Sequence, residues 1–305
     1  FEVAQKAKSA AAYSAAASYL NIAIELLQTE AISADPWHSH YRLMLPLHNL
    51  LAEVSYLNGE YEASQQQTQT VISHAQDLLD RVKAYEIRIS LSVAQSQCQT
   101  ALDVGLDILS LLDVSLDDAA LSDIDIARLY QLPAITNPKI IAALSILSKL
   151  WAPALIAGSE LVSKVIVTML NLSATHGNSA VSAFAYSLYG MLLCAKMTDI
   201  ELGYRFGQLA LHTLERYEDT ELTCKVNQLF HASIRNWKEP ARDRVDCLAN
   251  NVLTGLETGD IEFAGYSSIN YCDNLFLIGE PLKVLHQKQT YYIELASNLQ
   301  QSIQS

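Results

Sequence analysis

Cysteine is sparse and scattered. The five cysteines, Cys98, Cys194, Cys224, Cys247 and Cys272, include no Cys-x-x-Cys pair. Zinc sites and disulfide scaffolds group theirs more tightly, so these read as buried apolar side chains in a reducing compartment. Glycine and proline are few as well, 11 and 7 in 305 residues. Ala, Leu, Ile, Ser and Gln dominate instead, a bias toward helices and away from sheet. No segment alternates like a strand. Charge is low, 17% of residues, and acidic in balance: 33 Asp and Glu against 20 Lys and Arg, a net of −13. A ligand held through phosphates needs a concentrated basic face. The nearest stretch, "EPARDRVD" (239–246), is interleaved with acids, which argues against nucleic acid as a partner.

An uninterrupted membrane span is missing too. "IIAALSILSKLWAPALIAG" (140–158) comes closest, but Lys149 and Pro153 break it, and a buried helix pair is the expected structure. The chain starts at Phe1, with no basic segment leading into an apolar one. It is expected to be a piece of a longer, soluble, cytoplasmic protein without a signal peptide.

What is present is material for a core, 50% hydrophobic residues, arranged with helical spacing. Leu43, Leu47, Leu50, Leu51 and Val54 make one stripe, and Leu102, Leu106, Leu109 and Leu112 another. Asp35-Pro36, Asn137-Pro138, Glu239-Pro240 and Glu280-Pro281 each read as a cap followed by proline at the first helical position. Helix boundaries are expected near 29–36, 58–61, 75–78, 95–98, 112–118, 131–138, 151–154, 173–178, 196–199, 217–220, 236–240, 258–260 and 278–281. The Asp-rich stretch 113–137 reads as an irregular connection with a short helix. It would join possible sub-units 1–112 and 138–305 of one helical domain covering 1–305.

A degenerate repeat runs through these helices. "AEVSYLNGEYEAS" (52–64) has a turn glycine, an acid, an aromatic and then small residues. "SVAQSQCQTALDVG" (92–105) follows it weakly, with Ser96 in the place of Gly59. "LLCAKMTDIELGYRFGQLAL" (192–211) and "TGLETGDIEFAGYS" (254–267), with Gly259 and Ala264, repeat the order. Helix pairs of this kind bury their apolar faces only by stacking. The expected fold is therefore all-α, a TPR-like α-solenoid of antiparallel helix pairs forming a right-handed superhelix.

Several ordered motifs extend the pattern: "KAKSAAAYSAAASYLNIAIELL" (6–27), "LHNLLAEVSYLNGEYEAS" (47–64), "VKAYEIRISLSVAQ" (82–95), "LPAITNPKIIAALSIL" (132–147), "NLSATHGNSAVSAFAYSLYG" (171–190), "GYRFGQLAL" (203–211) and "GLETGDIEFAGYS" (255–267). Together they resemble the helical-repeat region of large hybrid signalling kinases. In those proteins a serine/threonine-kinase-like domain and a STAND/AAA-type ATPase precede this region, and a GAF domain with a sensor histidine kinase or another output domain follows it. The resemblance implies a superhelical sensor or linker segment with catalytic domains outside it. The chain itself has no G-x-x-x-x-G-K-[ST] loop and no His-Arg-Asp or Asp-Phe-Gly. It is expected to be non-enzymatic, with no cofactor.

Candidate sites are few. "DPWHSHY" (35–41) with His48 offers imidazoles for a metal, but on one helix His38 and His40 would face apart, so a capped helix start with Trp37 packed on a neighbour is expected. In "LNLSATHGNS" (170–179), Gly177 would end one helix at positive φ and Asn178 or Ser179 would cap the next. His176 would complement the helix dipole, and a small acidic ligand at this helix N-terminus is the functional alternative. His176, Asn178, Ser179, Tyr204 and Arg205 are the candidate binding residues. Gly203, Gly207, Ala210, Gly59, Gly259 and Ala264 are the candidate close-packing positions. The acid pairs Asp117/Asp118 and Asp123/Asp125 read as solvated connection.

Two kinds of partner remain: a protein segment or flanking domain of the same polypeptide held in an open groove, or a small-molecule effector enclosed in a pocket.

Overall fold

Apolar stretches with helical spacing alternate with short stops, and the computed structural model turns each stretch into a helix. It describes residues 1–30, 35–120, 125–196, 199–217 and 219–304, with Glu30 and residues 296–304 by backbone alone. The helices are α1 (Glu2–Ser9), α2 (Tyr13–Glu30), α3 (Pro36–Ser39), α4 (Tyr41–Leu57), α5 (Tyr61–His74), α6 (Leu78–Ala94), α7 (Cys98–Leu111), α8 (Ile126–Gln131), α9 (Pro138–Ile156), α10 (Leu161–His176), α11 (Ala180–Ala195), α12 (Ile200–Tyr217), α13 (Thr220–Gln228), α14 (Val245–Thr258), α15 (Ile261–Leu277) and α16 (Leu282–Gln304). No strand occurs among the described residues, where an isolated bridge joins Ala134 and Asn178.

The stops act as their chemistry dictates. Asp35 accepts the Trp37 amide at 3.0 Å with Pro36 as the first helical residue, and Asn137 does the same for the Lys139 amide at 3.0 Å. Each such cap contributes about 1 kcal/mol. The turns between α4 and α5, α6 and α7, and α14 and α15 all pass through the left-handed region, at Gly59 (φ 78°), Ser96 (φ 59°) and Gly259 (φ 79°). A Cβ at Gly59 or Gly259 would meet nothing within 4 Å. These two glycines are therefore turn residues and not the close-packing positions expected from the sequence. Positive φ holds glycine there. Ser96 adopts the same conformation with a side chain, so Ser96→Gly should stabilise the chain by about 0.5–1 kcal/mol. A urea titration checks this.

Three boundaries differ from expectation. Pro153 does not end a helix: α9 runs through it from Pro138 to Ile156. One lost backbone bond is tolerated where Leu147, Leu150 and Ala154 are fully buried. Residues 36–57 do not form one helix either, since His40, at φ −127°, separates α3 from α4. Glu239 caps nothing; its carboxylate pairs with Arg235, and the residues after Pro240 form a 3-10 turn, Ala241–Arg244. The expected boundary near 29–36 lies partly, and Asp123 wholly, outside the described residues. Asp117 and Asp118 are engaged, by Asn171 at 2.9 Å and by Lys164. Asp125 caps α8.

Two units divide the chain. The first takes Phe1–Ser115 with Lys149–Ser159, the second Leu116–Ser148 with Glu160–Leu299. In the first, α1 packs on α2, α2 on α4, α4 on α5 and α6, and α6 on α7. Its core includes Leu20, Trp37, Met44, Leu51, Val54 and Val71. In the second, α10 packs on α11, α11 on α12, α13 on α14, and α14 on α15. Leu285 of α16 joins Leu248, Tyr271 and Leu275. By length and composition α9 is long and apolar enough to cross a membrane, and half of that window is buried.

Candidate functional site

Gly203 and Gly207 sit on the buried face of α12, with Ala210 on the same face. A Cβ at Gly203 would lie 2.8 Å from the Gly190 carbonyl oxygen and 2.6 Å from Cys194 Sγ. One at Gly207 would lie 2.6 Å from the Phe230 ring. Gly190 on α11 completes the crossing, with the Gly203 carbonyl 2.7 Å from its would-be Cβ. Phe206 and Tyr204 flank the contact, against Tyr189 and Phe230 respectively. Ala264 packs at a second close approach, 2.8 Å from a Cβ built on Gly255.

The corner at 176–179 is a structural junction. Gly177 has φ 114°, and a Cβ there would fall 2.4 Å from the Pro133 carbonyl oxygen. Asn178 is buried; its amide nitrogen donates to the Leu129 carbonyl at 2.7 Å, and its Oδ1 accepts from Tyr186 at 2.6 Å. Its backbone carbonyl accepts from Ile135 N at 2.9 Å and from the Tyr217 hydroxyl at 2.8 Å. Ser179 caps α11 in a reciprocal arrangement with Ser182. Every polar group of Asn178 is thus occupied by the protein. His176 is exposed at the end of α10. His176→Ala should shift stability by about 1 kcal/mol or less, the size of one charge–dipole contact, as read by thermal denaturation.

Tyr204 belongs to a polar cluster around an irregular segment. After α13 the backbone widens into a π-helical turn, Leu229–Ile234, and then tightens at Arg235–Trp237. Tyr204 donates to Glu239, which also receives Arg235, while Lys238 lies 4.9 Å from the Tyr204 ring centre. Arg205 is exposed. His231 is held down to about 4, by burial first and then by Arg235 and Arg244, with Glu239 opposing. Its folded value lies below the unfolded one of about 6.5, so protons favour the unfolded chain below that pH. Stability should fall as pH drops from about 6.5 to about 4. His231→Asn should flatten that part of a pH–stability curve.

The imidazoles of the first unit do not gather around a metal. No group of three His, Cys, Asp or Glu with metal-binding geometry occurs among the described residues. Instead, Trp37 is buried between His48 and His74, with ring centres 5.0 and 4.7 Å away. His48 shares a 2.6 Å hydrogen bond with Gln67. Burial holds its pKa below the ordinary value.

A depression with mixed polar and apolar lining lies elsewhere, across α1, α4 and α6 of the first unit. This open depression of about 400 Å³ is bounded by Phe1, Gln5 and Lys8 from α1 and its start, Pro46, Asn49, Leu50 and Glu53 from α4, and Lys83 from α6. Lys8 Nζ lies 2.8 Å and Lys83 Nζ 3.4 Å from the Glu53 carboxylate. Burial pushes the Glu53 carboxyl up, and Lys83 and Lys8 together hold it below its usual range. Asn49 Oδ1 is buried and accepts no hydrogen bond among the described residues. A second open depression, of about 410 Å³, runs along α5 beside Gln65, Gln66, Gln69 and Thr70, with Arg88 on its wall. The sequence reading proposed none of these residues for a site. Lys8, Glu53 and Lys83 are far apart in the chain, and only the packing of the first unit's helices brings them together.

No family model matches the chain. The hybrid signal transduction histidine kinase G of Dictyostelium discoideum is 19% identical to it over 331 aligned positions, covering 96% of this chain and 10% of that protein. The chain thus spans about a tenth of the length of this curated relative. It is similar to a helical region of a signalling protein.

Proposed function

We propose that the chain is a TPR-like α-solenoid, a right-handed superhelix of antiparallel helix pairs. It serves as a non-catalytic interaction and sensor-linker segment in a cytoplasmic multidomain signalling kinase or ATPase. Its occupant is a protein segment or a neighbouring domain of the same polypeptide. The observation that carries this reading is the depression across α1, α4 and α6. Stacked hairpins create such surfaces between their helices, and an open depression lined by both polar and apolar residues suits a polypeptide better than an enclosed effector. The match to a signalling histidine kinase agrees in kind.

Gln5 is exposed at the edge of the depression, so Gln5→Trp fills it without entering the core. Calorimetric titration with the neighbouring domains, supplied in trans, tests the proposal. Binding by the parent chain and at least about tenfold weaker binding by Gln5→Trp, with unchanged melting, is the expected result; tenfold corresponds to about 1.4 kcal/mol.

A further inference from the structure

The outer face of α5 carries charges that the chain leaves uncompensated. Its open depression of about 410 Å³ is bounded by Glu62, Gln65, Gln66 and Gln69, with Arg88 of α6 on the wall. Residues 62, 65, 66 and 69 follow the spacing of one helix face. Arg88 is half-buried and its hydrogen-bond partners are neutral: Nε donates to Thr68 Oγ1 at 3.2 Å, and Nη2 to Gln69 Oε1 at 2.6 Å. Nε and Nη2 share one edge of the guanidinium, and α5 occupies it. A guanidinium has five N–H donors in a fixed fork, so the edge between Nη1 and Nη2 stays open. Neither Arg88 nor Glu62 forms an ion pair among the described residues. Burial holds the Arg88 pKa below its ordinary value, as expected of a cation short of a counter-charge.

A cation and an anion thus stand at opposite ends of a row of amides. Glu62 and Gln69, the residue that holds Arg88, are two turns or about 10 Å apart along the helix. Gln65 and Gln66 lie between them and are exposed; their backbone carbonyls accept from Thr68 and Thr70, and their side-chain amides make no hydrogen bond among the described residues. Each such amide offers a donor and an acceptor, as a peptide group does. We propose that this face of α5 docks an extended polypeptide segment with an acidic and a basic side chain three residues apart. The acid takes the open edge of Arg88 with two parallel bonds, and the base lies against Glu62. The peptide groups between them exchange hydrogen bonds with Gln65 and Gln66. Three steps of an extended chain cover about 10 Å, which matches the spacing of the two charges. A segment of one sign satisfies one end and is repelled at the other. Exposed Glu62 adds less affinity than Arg88, and its part is to discriminate.

This inference extends the interaction-module reading to a second face and is tested apart from it. The probes are four blocked tetrapeptides titrated into the whole chain by ligand-detected NMR. Acetyl-Lys-Ser-Ser-Glu-amide and acetyl-Glu-Ser-Ser-Lys-amide present the two charges in the two chain directions. Acetyl-Glu-Ser-Ser-Glu-amide has acid at both ends, and acetyl-Gln-Ser-Ser-Gln-amide has no charge. Saturable binding of at least one mixed-charge peptide in the millimolar range is expected. The uncharged peptide should bind about tenfold more weakly, as for loss of a charge-assisted contact, and the doubly acidic one about threefold more weakly.

Glu62→Lys, at an exposed position, should reverse the preference, so that the doubly acidic peptide binds more tightly than either mixed one. Arg88→Lys keeps the charge and loses the fork, and should weaken the mixed-charge peptide about fivefold. Melting curves accompany both variants, and Glu62→Lys decides alone if Arg88→Lys is unfolded. Equal binding of the mixed and uncharged peptides, an unchanged preference in Glu62→Lys, full affinity in folded Arg88→Lys, or no saturation at about 10 mM peptide would each overturn the proposal. Gln5→Trp lies on the other depression and should leave peptide affinity unchanged. If the neighbouring domains bind in a Gln5→Trp-sensitive way while no peptide binds, only this inference fails. If the peptides bind as described and the domains do not, only the broader reading fails.

Discussion

Gly203→Leu is expected to destabilise the chain by about 3 kcal/mol or more, the upper range for overpacking a filled site. The backbones of α11 and α12 approach too closely at this point to admit a side chain. Even a lone Cβ at Gly203 falls 2.8 Å from the Gly190 carbonyl oxygen, and backbone cannot turn aside as a side chain can. Gly207→Leu should cost a similar amount, because its Cβ meets the Phe230 ring at 2.6 Å and Ile234 at 3.1 Å. The alanine variants separate the two positions. Gly203→Ala should remain clearly destabilised. Gly207→Ala should lose less, since a ring and a branched side chain can shift by tenths of an ångström. In a helix free of such neighbours, either alanine would add about 1 kcal/mol. Thermal and urea melts of the four variants decide. If both alanine variants melt above the parent, the close-approach account is wrong, and the glycines serve flexibility instead.

Asn178→Ala should cost about 1–3 kcal/mol without changing helix content, because it leaves the buried Tyr186 hydroxyl without its acceptor and the Leu129 carbonyl with only the 3.3 Å bond from Leu132 N. The Leu129 carbonyl would lose its amide donor, and the Tyr186 hydroxyl, on a side chain with 0% exposure, would lose its acceptor. The effect should be partly relieved in the Asn178→Ala/Tyr186→Phe pair, which removes the orphaned phenol with its acceptor. Less destabilisation in the double variant than the sum of the singles is the expected sign of that coupling. Strict additivity in urea titrations would contradict the shared network.

Much of the helical order was legible because capping and turn chemistry act over a few residues. Asp35-Pro36 and Asn137-Pro138 announce helix starts by a side-chain acceptor and a ring that needs no amide donor, and both caps form. The Gly59 turn and its weak echo at Ser96 mark hairpins, and both residues take positive φ. Gly203 and Gly207, four apart inside a helix of a chain rich in alanine, signal a close approach, since local preference gives no reason for them.

What failed to show in the sequence depends on contacts between distant residues. Pro153 reads as a break by local rules, yet burial carries α9 past it. Glu239-Pro240 has the pattern of a cap, but Arg235 and Tyr204 engage the carboxylate. The π-helical turn at Leu229–Ile234 has no residue signature of its own. The depression across α1, α4 and α6 was hidden for the same reason: its lysines belong to α1 and α6, with α2 to α5 between them in the chain. Asn178 was visible as a polar residue at a corner. Its task there, tying residues 129–135 to α11, required the fold to be seen.

The most direct test of the central claim is the calorimetric affinity of the neighbouring domains for the parent chain and for Gln5→Trp. The account predicts saturable binding by the parent and a loss of about tenfold or more in the variant, which is about 1.4 kcal/mol, with both proteins melting at the same temperature. Equal affinity in the two, or no binding by the parent chain, would contradict it.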